Sequence, residues 1–271
     1  MLEFIKAVLF GIVEGITEWL PISSTGHMIL LNEFVQLKVS EDFWEMFLVV
    51  IQLGAILAVV LLFWEKIFPF DKKGKPKKES FNLWYKIIIA CIPAAIVGVF
   101  FDDILEEYLY NYVTVSIALI VFGIAFLVIE QKNKSKIFQV NCLEEITLKT
   151  AAIIGIFQLI AAVFPGTSRS GATIVGALMI GVSRTVAAEF TFFLAIPVML
   201  GASMLKVLKF GFSFTGQELG FLLTGMAVAF LVSVFVIKFL MDYIKKNDFK
   251  IFGWYRIILG AVVLLYFGII A

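Results

Sequence analysis

The sequence predicts an all-α polytopic membrane protein, an inverted-topology repeat in which each half is a re-entrant helical hairpin plus three transmembrane helices. Three observations predict it. Of 271 residues, 61% are hydrophobic and only 16% charged, where a soluble domain carries roughly a quarter charged. Two polar stretches, 14–27 and 164–173, break apolar helical runs at similar places in the two halves of the chain. Lysine-rich and lysine-free loops alternate, the pattern that the positive-inside rule imposes on a spanning chain. Residues 1–271 read as one integral membrane domain, with repeat one at 1–135 and repeat two at 145–271.

Residues 1–20 read as a helix interrupted only by Lys6, Glu14, Thr17 and Glu18. The two glutamates interrupt what would be the apolar core of a signal peptide, so cleavage is not expected. Pro21 breaks the helix, and Ser23-Ser24-Thr25-Gly26 is turn and N-cap chemistry. A short helix follows over about 27–34. Neither arm supplies the roughly 20 apolar residues of a span. A broken helix of this kind reads as a re-entrant hairpin whose backbone lines a cavity. Spans are predicted at 43–64, 83–101 (with Pro93 as a kink) and 113–130. An acidic loop with Asp102, Asp103, Glu106 and Glu107 separates the last two. The pattern then restarts. An apolar helix over 150–164 is broken at Pro165-Gly166, and a second short helix runs to about residue 180. Further spans are predicted at 187–208, 218–240 and 253–271.

An offset of 144 aligns Gly11 with Gly155, Pro21 with Pro165, Ser23 with Thr167, Ser24 with Ser168 and Thr25 with Arg169. A proline and a hydroxyl cluster in register point to a duplication. Three spans per half is an odd number, so the second half inserts upside down. Loops 65–81, 131–149 and 241–252 are lysine-rich and belong inside; loops 102–112 and 211–217 carry no lysine or arginine and belong outside. Hairpin one then enters from outside, hairpin two from inside, and the C-terminus lies outside.

A net charge of +1 gives no electrostatic case for nucleic acid. The single histidine excludes a multi-histidine metal centre within one chain. Cys91 and Cys142 are expected to form neither a disulfide nor a metal site.

Ionisable groups inside an apolar chain point to function. Glu14 and Glu18, one helical turn apart, can hold Mg2+ or Ca2+ with ligands from substrate phosphate and water; a structural pair bonded to neighbouring groups is the plainer reading. Ser23, Ser24 and Thr25 lie where free N–H groups and the helix dipole favour anions. His27, three residues after Ser24, can serve as its base. Ser168, Arg169, Ser170 and Thr173 form a second helix start, with a guanidinium suited to phosphate. Arg169 could otherwise merely pair with Glu14 or Glu18. Brought together, the two tips hold an inventory for phosphoryl transfer. Gln52, Arg184 and Glu189 are polar positions without an assigned place.

The stretches Glu14-Gly-Ile-Thr-Glu-Trp-Leu-Pro-Ile-Ser-Ser-Thr-Gly-His27 and Pro165-Gly-Thr-Ser-Arg-Ser-Gly-Ala-Thr173 together resemble the two signature motifs of the bacterial undecaprenyl-diphosphate phosphatases, also called bacitracin-resistance proteins. The resemblance runs the full length of the chain. It implies an integral enzyme of the bacterial plasma membrane that hydrolyses the C55 isoprenoid diphosphate to the monophosphate carrier used in peptidoglycan synthesis. It implies dependence on Mg2+ or Ca2+ and a site opening to the outer face. Glu14 and Glu18 become the metal- or phosphate-organising acids, Ser24 the nucleophile, His27 the base and Arg169 the diphosphate clamp. Ser23, Thr25, Ser168, Ser170 and Thr173 become the supporting phosphate-binding hydroxyls.

Two mechanisms stay open: Ser24 attacks phosphorus with His27 as base, or His27 attacks and the serines only bind phosphate. The rival function is a polyprenyl-phosphate flippase or transporter, since broken helices are also transporter architecture. Partners are the lipid substrate and membrane lipids, with no nucleic acid; whether the chain forms a homodimer is left open.

Overall fold

A computed structural model describes residues 1–269. The side chains of Asp102, Asp103 and Glu106, and so most of the predicted acidic loop's charges, lie outside the description, as does Ala271 at the end of the last predicted span. The described chain is helical, with two isolated β-bridges. The first half contains α1 (Leu2–Thr17), α2 (Ser24–Phe34), α3 (Glu41–Leu62), the short α4 (Trp64–Ile67), α5 (Lys78–Phe100), α6 (Asp102–Leu109) and α7 (Tyr112–Asn133). The second contains α8 (Leu148–Val163), α9 (Arg169–Met179), α10 (Arg184–Phe210), α11 (Gly216–Ile244) and α12 (Lys250–Ile269).

Six of these helices, α3, α5, α7, α10, α11 and α12, are long and apolar enough to cross a membrane. They are the six spans predicted, and the chain is a multi-pass membrane protein. Their outer faces are lipid-like. On α5, Ile88, Ile92, Ile96 and Val99 form one helical stripe and are each about half exposed. In water such a stripe would be an aggregation surface; against acyl chains it is matched. Pro93 lies inside α5, which runs on through it. The predicted loop 102–112 contains α6, and α4 occupies the start of loop 65–81.

Both predicted breaks are present. The first arm ends at Thr17, ahead of Pro21, and the second at Val163, ahead of Pro165; a residue preceding proline is driven out of the helical region. The short helices begin in matching fashion. Ser23 (φ 74°) caps α2 by accepting from the Gly26 amide, and Ser168 (φ 66°) caps α9 by accepting from the Gly171 amide. Among the described residues these serines are the non-glycine residues with positive φ. Such backbone persists only where its surroundings over-determine it, and it clusters at functional sites.

This geometry corrects the register read from the sequence. The two caps lie 145 residues apart, not 144, because the second tip carries one more residue between proline and cap. Ser23 therefore matches Ser168, and Ser24 matches Arg169. The extra residue is accommodated at Gly166 (φ 87°), where a Cβ would lie 2.5 Å from the Val115 carbonyl oxygen.

The spans pack chiefly on helices of the other half. The first arms α1 and α8 lie on α11 and α5, α3 crosses α10, and α7 packs along α12. Close approach is made by small residues, as in other membrane bundles. A Cβ on Gly11 would meet the Gly225 carbonyl of α11 at 2.6 Å, and one on Gly155 the Ala90 carbonyl of α5 at 2.4 Å. The two arms lead into the two broken tips, which meet through Glu18, Arg169 and Ser170.

Candidate active site

Carbonyl and amide groups at the two breaks have no continuous helix to bond into, so side chains must satisfy them. Those side chains join the tips. Ser24 Oγ, in the first turn of α2, donates to Glu18 Oε2 at 2.9 Å. Arg169, in the first turn of α9, donates through Nη2 to Glu18 Oε1 at 3.0 Å and through Nη1 to the Thr191 carbonyl at 2.8 Å. The Glu18 and Arg169 side chains are 7% and 12% exposed, so the pair is largely withdrawn from solvent. Ser170 Oγ donates to the Glu18 carbonyl at 3.2 Å and lies 3.1 Å from Ser168 Oγ. Thr173 Oγ1 donates to the Arg169 carbonyl at 2.9 Å and lies 2.8 Å from Thr191 Oγ1.

Two adjoining cavities open onto this network. The smaller, about 160 Å³, is lined by Glu18, Ser24, Thr25, Gly166, Ser168 and Arg169. The larger, about 500 Å³, is lined by Glu14, Ser24, Thr25 and a mixed wall that includes Met28, Trp44 and Leu48. Gln52 and Tyr110 line both. A small recess with charged groups beside a larger, partly apolar one suits an amphiphile with a small anionic end.

The residues singled out from sequence divide into two groups. Glu14, Glu18, Ser24, Thr25, Ser168 and Arg169 line the cavities. Ser23, Ser170 and Thr173 are fully buried and line neither. Their hydroxyls cap α2, hold Glu18 and brace α9, so they support the tips and do not present themselves to a phosphate. Arg184 bonds Glu130, and Glu189 bonds Lys66 at 2.8 Å beside a separate cavity of about 790 Å³. Neither reaches the tips.

His27 stands apart from Ser24. Its Nδ1 lies 2.7 Å from the Ser23 carbonyl and its Nε2 lies 2.7 Å from the Tyr255 hydroxyl. A carbonyl only accepts, so Nδ1 carries the proton and Nε2 accepts from Tyr255 in the neutral ring. The imidazole stacks on the Tyr255 ring and lines neither cavity. The hydrogen-bond acceptor facing Ser24 is Glu18.

Glu14 is buried, and its Oε1 has no hydrogen-bond partner among the described residues. An orphaned carboxylate oxygen next to a cavity is what a cation would satisfy. Among the described residues there is no group of three or more metal-ligating side chains, so any ion held here needs oxygens from substrate and water. Sequence reading missed Thr191, Tyr110, Tyr255 and Arg256. The last is an arginine inside a span, which the intramembrane-charge rule alone would have flagged.

The chain is similar to known proteins over nearly its whole length. A family model described as Bacitracin resistance protein BacA matches residues 7–262. A protein named undecaprenyl-diphosphatase from Desulfitobacterium hafniense is 68% identical over 270 residues, 99% of this chain and 97% of its own. Undecaprenyl-diphosphatase 1 of Clostridium acetobutylicum is 65% identical over 271 residues, covering 99% of both chains. An undecaprenyl-diphosphatase of Enterococcus faecalis is 61% identical over 268 residues, 97% of each.

Proposed function

The chain belongs to the bacitracin resistance protein BacA family, and from that premise we propose that it hydrolyses undecaprenyl diphosphate to undecaprenyl phosphate and inorganic phosphate between its two hairpin tips. The observation that carries the placement is the Ser24–Glu18–Arg169 network, which joins the tips at the floor of a cavity. Recycling the carrier lipid in this way serves peptidoglycan synthesis and confers bacitracin resistance.

Arg169 and the free N–H groups of α2 and α9 hold the terminal phosphate. Ser24 Oγ attacks the terminal phosphorus, the bond to the bridging oxygen breaks, and undecaprenyl phosphate leaves. The Ser24 proton passes to Glu18, whose oxygen already accepts it at 2.9 Å. Water then attacks the phosphoserine, its hydrogens stay with the released phosphate, and Glu18 returns the proton to Ser24. His27 holds the start of α2 through the Ser23 carbonyl. Attack by His27 itself is disfavoured, because both ring nitrogens are engaged away from the cavities.

A Mg2+ or Ca2+ ion would be held by Glu14, with Glu18 close by on the same helix face. When bound it supplies charge that offsets the diphosphate. The lysine pattern of the loops supports a plasma-membrane protein whose site opens to the outer face. The exchanged packing and matching caps support an inverted repeat of 1–135 and 145–271. One chain supplies every group named, so a homodimer is not required.

The test is phosphate release from C55 isoprenoid diphosphate by the purified full chain in detergent. Release is expected, lost on adding a chelator and restored by Mg2+ or Ca2+. Recovery of intact substrate would sink the phosphatase reading in favour of a carrier. Release that ignores the chelator would remove the cation from it.

A further inference from the structure

We propose that Arg256 is the positioning residue that locks the two hairpin tips in register for the reaction. It lies on α12, is fully buried, and among the described residues has no carboxylate partner. Among the described residues its hydrogen bonds all go to backbone carbonyls, and it lies over the Phe122 ring. Nη1 donates to the Pro21 carbonyl at 3.3 Å; Nη2 donates to the Gly166 and Thr167 carbonyls at 3.0 and 2.7 Å. A weaker contact reaches the Ala118 carbonyl of α7 at 3.5 Å.

The carbonyls it selects are telling. Pro21 lies in the break between α1 and α2; Gly166 and Thr167 lie in the break between α8 and α9. They are the acceptors that each broken helix leaves without a partner. One nitrogen of the planar fork serves tip one and the other serves tip two. A Cβ on Gly171 would lie 3.0 Å from Nη1, so the guanidinium also rests against the first turn of α9. Its chain neighbour Tyr255 holds His27 on α2. Both tips thus hang on adjacent residues of one rigid span, and the separation of Ser24 from Arg169 is set through Arg256.

A lysine cannot reproduce this. Its single ammonium is a point donor, whereas the bond pattern here needs two nitrogens a fixed distance apart. A buried cation without a carboxylate partner is costly, and here the carbonyl oxygens of both breaks offset that cost.

The inference rests on the assignment of the active site to the tips, so the experiment reads the two separately. Wild type, Arg256→Met and Arg256→Lys, as full chains in detergent, are compared in kcat, KM and hydrogen–deuterium exchange over residues 18–26 and 164–172. Exchange needs no substrate. Faster exchange at both tips is expected in Arg256→Met, with kcat lowered about 100-fold by misalignment of the reacting groups. Arg256→Lys keeps the charge and is expected to recover only part of kcat. Arg256→Lys with wild-type kcat, or exchange that rises at one tip only, would overturn the locking role. If wild type itself releases no phosphate, the functional reading fails while the exchange result still decides the role of Arg256.

Discussion

Ser24→Ala is expected to lower kcat for phosphate release by at least about 10³-fold, since the residual rate of an enzyme without its nucleophile comes from binding and charge stabilisation alone. The protein should remain folded. Helix α2 is capped by Ser23, not by Ser24, so the substitution leaves the cap intact. Glu18 loses one hydrogen bond, about 1–2 kcal/mol, and keeps its ion pair with Arg169. Ser23→Ala makes the contrast: it removes a cap, costs about 1 kcal/mol, and spares the attacking group. Thermal unfolding in detergent read beside turnover separates the two. Near-full turnover by Ser24→Ala would rule out serine attack.

Arg169→Ala combines two effects, and both are large. Removing a guanidinium that clamps a transferring phosphoryl group typically costs 10³–10⁵ in rate, and a loss of about 10³-fold or more is expected here. The substitution also leaves Glu18, 7% exposed, without its cation. Breaking one side of a buried pair costs about 3–5 kcal/mol. Arg169→Lys separates chemistry from stability. It keeps a charge near Glu18 and so the fold, but loses the two-point geometry that reaches both Glu18 and the Thr191 carbonyl. A folded Arg169→Lys protein with strongly reduced turnover is the expected result. Wild-type turnover in either variant would refute the clamp.

The six spans were legible because length and apolarity are local properties, visible in any window of the chain. The breaks were legible because Pro21 and Pro165 act on their own neighbours. What escaped depended on distant contacts or on a single inserted residue. The offset of 144 fits the arms, yet the caps follow 145, because Gly166 is absorbed by positive φ against α7. His27 looked like the base of Ser24 because three residues separate them. Its second nitrogen is claimed by Tyr255, which lies 228 residues further along the chain. Glu18 and Arg169 carried alternative readings, as a structural pair or as catalytic groups. The structure pairs them with each other and places both in the lining of the cavity. Ser170 and Thr173 sit in a signature-like run, yet their hydroxyls are spent on the Glu18 and Arg169 carbonyls.

Glu18 of one tip and Arg169 of the other, some 150 residues apart in sequence, are expected to act on the substrate as one network. A double-mutant cycle on kcat/KM with Glu18→Gln, Arg169→Lys and the double variant tests it most directly. Residues of one network couple by about 0.5–3 kcal/mol. The double variant is therefore predicted to fall well short of the product of the two single losses. Losses that multiply, within about 0.3–0.5 kcal/mol, would show that the two tips act independently and would refute a shared site.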